Sequence, residues 1–334
     1  MNKVWNELLK FETNDLVDRF VTTRHGRKLN KNRILQITSN FIQGREYFKS
    51  SEIASITVRP LLQYYGVMAL SKGLILSLDL SKTEENLKSS HGLSIKNWNQ
   101  ILKKKEFENI EVSIGDGTFS ELIKVTENKN YLRANTSEIN WSSFLNPPLK
   151  GDIILLKKLI QYFPDLSEEY NSWLEEKLYF AVVQEINTNG DDNKIFIKLE
   201  GQVDIQTSDL LFPQDYCKKK TIEAGYNSTI IKYDKCNWYP NITQRWNSVF
   251  GVGDACVIPT LPNDIGLNLL SGMYMISYVF GMMARYFPAT WISLKRVEKG
   301  DKIYPFVYRI LDFVDDKFPQ LVLDFLNTHD FENK

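Results

Sequence analysis

The chain has 334 residues, of which 43% are hydrophobic and 25% charged, a globular balance that excludes a wholly disordered or fibrous protein. Its 41 basic and 41 acidic residues cancel, so no global field draws it to nucleic acid or anionic membrane, and any such binding must be local. The length exceeds the usual single core and calls for one large domain with an insertion or for two domains.

Residues 1–109 read as helical. The first helix runs from Val4 to Phe11 and the second from Asn32 to Phe48, where Ile34, Ile37, Phe41 and Phe48 recur at helical spacing, with Gly26 breaking the pattern between them. A longer helix ends near Leu78; Pro60 is tolerated only in a first turn, which sets its start close to Thr57. After a polar link from Ser81 to Ser90, the residues His91-Gly92-Leu93-Ser94 lead into a short helix from Ile95 to Lys105.

In residues 110–145, Ile110 to Ile114, the Gly115-Asp116-Gly117 turn and Thr118 to Val125 alternate as a β-hairpin would. Residues 146–178 open on the break at Pro147-Pro148 and return to helical spacing at Asp152 to Tyr162 and Ser167 to Lys177, with Pro164 between. β-Forming residues dominate 179–260, notably Tyr179 to Val183, Ile195 to Leu199 and Thr229 to Tyr233. Residues 261–334 are helical again: Leu267 to Tyr286, Thr290 to Val297, Tyr304 to Phe313, and a closing segment from Pro319 to Leu326. The pattern predicts a mainly α protein, a helical bundle built from the N- and C-terminal segments with a small β-rich subdomain inserted (α+β).

Ile265 to Ala284 carries no charge over a bilayer-spanning length. Asn268, Ser271 and Ser277 dilute it and Arg285 follows at once, which favours a buried core helix over a membrane span. Cys217, Cys236 and Cys256 lack the paired spacing of a zinc site, and the N-terminus is polar rather than a cleavable apolar run. The expectation is a cytoplasmic protein without metal or cofactor.

His91 is the leading candidate for chemistry, since an imidazole gives or takes a proton near neutral pH. Arg59 or Arg285 would stabilise a phosphate through a bidentate contact, and Lys72 would act as a point charge. Arg24, Arg27 and Lys28 form the most basic short stretch and a candidate phosphate surface, although such stretches are more often a solvated helix entry. Each candidate has a structural alternative. His91 before a glycine would brace a loop-to-helix junction, and a buried Arg59 would pair with Glu46 or Glu52. Tyr64, Tyr65 and Trp98 would pack rather than stack on bases, and Arg285 would cap a helix end. The run Gly251-Val252-Gly253-Asp254 lacks the lysine and serine of a phosphate loop, and Asp192, Lys198 and Glu200 give only a faint likeness to a metal-dependent nuclease.

Four strings, Asn40 to Phe48, Arg59 to Gly66, His91-Gly92-Leu93 and Arg285-Tyr286-Phe287-Pro288, together resemble the YaaC-like family. In addition, Tyr64 to Lys72 followed by Ser90-His91-Gly92-Leu93 resembles the front half of HEPN domains, helical bundles common in toxins and phage-defence proteins. That resemblance implies a protein that binds RNA or nucleotides in phage defence or stress response and pairs as a homodimer. Many HEPN proteins are ribonucleases with an Arg-x4-6-His pattern, and His91 does not follow an arginine at that spacing. Whether the chain is an enzyme stays open, and a non-catalytic scaffold that holds a protein partner is the alternative.

Overall fold

The computed structural model describes residues 3–87, 90–189, 194–213, 221–225, 227–234, 240–246, 253–294 and 302–328. Cys217, Cys236, Asp192, Gly251, Val252 and His329 lie outside the described residues. The chain opens with α1 (Lys3–Leu8), a 3-10 turn, α2 (Asn14–His25), α3 (Lys31–Ile53) and α4 (Arg59–Leu78). It continues through β1 (His91–Ile95), α5 (Trp98–Lys104), β2 (Glu111–Gly117) and α6 (Thr118–Val125) to β3 (Lys129–Leu132), β4 (Trp141–Phe144), β5 (Ile153–Leu155), α7 (Leu156–Ile160) and α8 (Ser167–Leu174). Next come β6 (Ala181–Asn189), β7 (Lys194–Glu200), α9 (Ile205–Leu211), β8 (Thr221–Gly225), β9 (Ser228–Asp234), β10 (Asn241–Arg245) and β11 (Asp254–Ile258). Then α10 (Leu269–Tyr286), α11 (Pro288–Ser293) and α12 (Ile303–Asn327) close the chain.

These elements form two compact units, one of residues 1–128, 149–156 and 270–334, the other of residues 129–148 and 157–269. The protein is therefore mainly α with an inserted β-rich region, and helices from both ends of the chain share the first unit. Its centre is the pair α3 and α4, with α12 packed on α4. Glycines bring α3 and α4 together: a Cβ added at Gly44 would stand 2.6 Å from Leu70 Cδ2, at Gly66 2.7 Å from Phe48, and at Gly73 2.9 Å from Phe41. Only a residue without a side chain allows so close an approach. On α10, Gly281 similarly lies against Tyr64. By length and composition α4 could cross a bilayer, but 67% of its apolar window is buried inside the protein, as expected of a central helix that is apolar nearly all round. The charge-free run of α10 is buried in the same way from Leu269 to Met283.

The second unit centres on an antiparallel sheet in the order β10-β11-β6-β7-β9-β8, beside the β3-β4 hairpin. Alternation places Ile195, Ile197 and Leu199 of β7 in one apolar core with Ile231, Tyr233 and Phe212.

Several local expectations are corrected. Residues 110–125 are not a hairpin but the strand β2 followed by α6. β2 pairs with β1 and β5 instead of with the following residues, while Phe119, Leu122 and Ile123 bury one face of a helix that starts where Ser120 Oγ accepts a hydrogen bond from Gly117 N at 3.0 Å. The expected helices at Ile95–Lys105 and Asp152–Tyr162 each yield their first residues to that three-stranded sheet. Helix α2 fills the segment read only as a break and ends at Gly26, whose φ of 63° suits a residue without a Cβ. Finally, α12 runs through Pro319, because burial of Val314, Phe318, Leu321 and Val322 on either side outweighs the missing backbone donor.

Candidate functional site

Three elements of the helical unit meet around His91. β1 supplies the histidine, α4 supplies Tyr64, Met68 and Lys72 at four-residue spacing along one face, and α10 supplies Tyr274, Tyr278 and Arg285. The backbone holding His91 is tightly specified. Pairing of β1 with β2 shifts register between His91 and Leu93. Gly92 has φ of +81°, and a Cβ on Gly117 would stand 2.3 Å from Gly92 N. His91 therefore starts a strand and does not brace a loop-to-helix junction.

Tyrosines surround the ring. Tyr64 Oη lies 2.6 Å from His91 Nδ1, Tyr274 Oη donates to the His91 carbonyl at 3.2 Å, and the Tyr278 ring sits 5.6 Å from the imidazole. Burial pushes the Tyr64 and Tyr274 phenols well above the ordinary tyrosine range and Tyr278 up to about 12, so each keeps its proton. The Tyr64 hydroxyl and Nδ1 share one hydrogen bond, in which Tyr64 donates when the imidazole proton is on Nε2 and accepts when it is on Nδ1. Burial, and then the positive charges of Arg285 and Lys72, hold His91 below its ordinary pKa, leaving it neutral at pH 7.

The two cations sit differently. Arg285 is exposed, donates from Nη1 to Tyr65 Oη at 3.1 Å and lies 5.1 Å from the centre of the Tyr286 ring. Lys72 is half-buried. Among the described residues neither is paired with a carboxylate. A neutral imidazole beside two uncompensated cations can receive an anion and exchange a proton with it or with a group attached to it.

The other candidates lie elsewhere. Arg59 opens α4, and five residues of helix turn it about 140° away from Tyr64. Its Nη2 bonds Asp312 and Asp315 of α12, each at 2.6 Å, so its partners are these aspartates and not Glu46 or Glu52. Asp315 also accepts from Gln63 at 2.7 Å. The bridge borders a cavity of about 680 Å3 that Trp5, Phe48 and Lys49 also line. Arg24 Nη1 donates to the Leu326 carbonyl at 3.1 Å near the end of α12, while Arg27 and Lys28 are exposed just beyond α2. One arginine and histidine do stand at Arg-x4-6-His spacing, Arg19 and His25, about 120° apart around α2. Arg19 is exposed and the His25 ring contacts the Ser77 carbonyl at 2.9 Å. Trp98 packs on Phe287 at 4.8 Å, and Cys256 is buried in β11.

Of the candidates read from the sequence, the structure thus gathers His91, Lys72 and Arg285 and leaves Arg59, Arg24, Arg27 and Lys28 apart. The phenols that hold His91 were missed. Their signal was the i, i+4 spacing of Tyr64 with Met68 and of Tyr274 with Tyr278, which reads equally well as core.

Fold and site together define an α+β protein whose helical unit carries a tyrosine-buttressed histidine under the charge of two basic side chains. The profile of the YaaC-like protein family matches residues 9–326, and the chain belongs to that family. No curated protein and no solved structure matches it.

Proposed function

We propose that the protein binds a phosphate-bearing ligand, RNA or a nucleotide, at the His91 face of its helical unit, acting in the cytoplasm in phage defence or stress response as the HEPN-like stretch implies. The observation that carries this reading is the pair Lys72 and Arg285, two cations whose charge acts on His91 and which have no carboxylate partner among the described residues, Arg285 being tied to the site through Tyr65. Uncompensated charges beside a neutral imidazole disfavour a cationic ligand and favour an anion. In the test, labelled single-stranded RNA is titrated with the purified protein over a salt series. Lys72→Ala and Arg285→Ala should each weaken binding and flatten the slope of log affinity against log salt by about 0.7. Affinity independent of salt, or untouched by both substitutions, would exclude the reading. RNA cleaved by wild type and spared by a folded His91→Ala variant would make the site a ribonuclease, whereas retention without cleavage would make it a binding site.

A second reading, a non-catalytic partner-binding protein that pairs with itself, is favoured by exposed apolar residues at the end of α3, just before α4, and on α11 and α12. Ile53 is 86% exposed, and Val58, Ile292 and Tyr308 are also open to solvent, an apolar surface of the kind found at protein interfaces. On this reading light scattering at micromolar concentration gives a dimer that Ile53→Asp dissociates, and a monomeric wild type would count against it.

A further inference from the structure

We infer that the ligand of the His91 face is single-stranded and is gripped by a base as well as by its phosphate, with Tyr286 as the stacking platform; this rests on the phosphate-binding reading above. Tyr286, the last residue of α10, is 57% exposed. Beside it stands the Arg285 guanidinium, 5.1 Å from its ring centre and fixed from the other side by Tyr65 Oη at 3.1 Å. An arginine held in this way is a pre-set planar donor, because the rotamer freedom it would lose on meeting a phosphate is already reduced. Tyr286 is linked to the histidine through its neighbour Arg285: Tyr65, which holds that guanidinium, has its ring 6.0 Å from Tyr64, and the Tyr64 ring lies 5.5 Å from the imidazole.

The face therefore sets two cations and an imidazole beside the half-buried Tyr65 ring and the exposed Tyr286 ring. Basic side chains that track a backbone beside aromatic rings that accept unpaired bases are the physical requirement for single-stranded nucleic acid. A duplex hides its base faces in the stack and would have no use for Tyr286. An isolated phosphate or sugar phosphate would use the cations alone.

The experiment compares hexauridylate with an abasic ribose-phosphate chain of the same length, binding wild type, Tyr286→Ala and Tyr286→Phe. Hexauridylate should bind wild type about tenfold more tightly than the abasic chain. Tyr286→Ala should abolish that difference, the abasic chain losing only what a looser Arg285 costs both chains, and Tyr286→Phe should restore it. Equal binding of the two chains by wild type, or an equal loss of both in Tyr286→Ala, would overturn the stacking role and leave the phosphate site standing. Binding of neither chain by wild type would overturn both.

Discussion

At pH 7 the His91 imidazole is neutral because burial and two nearby cations penalise its charged form. A histidine whose pKa is lower in the folded than in the unfolded chain contributes stability that is present above its ordinary value near 6.5 and is lost as the pH falls below it. His91→Gln should therefore flatten the stability profile below about pH 6.5, as read from urea midpoints; an unchanged profile would place the acid sensitivity elsewhere. Removing the Tyr64 hydroxyl takes away the hydrogen-bond partner of Nδ1, so Tyr64→Phe should cost about 1 kcal/mol of stability, read from the same urea midpoints. Arg59 has a different task. Asp315 is half-buried, and desolvation raises its pKa despite the bonds from Gln63 and Arg59. Arg59→Ala would strand that carboxylate and should destabilise the protein by about 3 kcal/mol in urea denaturation, whereas a loss below about 1 kcal/mol would mean the bridge is solvated.

Helix α4 is the element on which the helical unit depends. It turns Arg59 toward α12 and Tyr64 toward His91, and it meets α3 through glycines. Gly73→Ala should cost about 1–3 kcal/mol by overpacking against Phe41, because the added methyl would sit 2.9 Å from that ring; a neutral substitution would show that Phe41 can yield. The start of α4 was legible in the sequence, since Pro60 fits only a first turn. The fate of Thr118 to Val125 was not. That stretch has the composition of either element, and what decides it is the pairing of Val112 with Ile154 and of Ser94 with Ser113, contacts that local periodicity does not encode. Pro319 misleads in the opposite direction, as a local break overruled by burial along both sides of α12.

For the molecule as a whole, mainly helical ends around a β-rich middle could be read from composition along the chain, because propensity and period change together. The site could be read only as residue types. His91, Lys72 and Arg285 stand out as charged or titratable residues, but their grouping depends on α10, far from α4 along the chain, packing on it at a close approach marked by Gly281 against Tyr64. Arg59, equally prominent in the sequence, belongs to a bridge instead. With only three histidines in the chain, the His91 ring can be followed by NMR and assigned by His91→Gln. The most direct test of phosphate binding is the His91 pKa measured with and without single-stranded RNA. A bound phosphate would offset the charges of Lys72 and Arg285 and raise that pKa, and the rise should vanish in the Lys72→Ala, Arg285→Ala double variant. RNA that binds without moving the His91 titration would contradict the assignment of this face as its site.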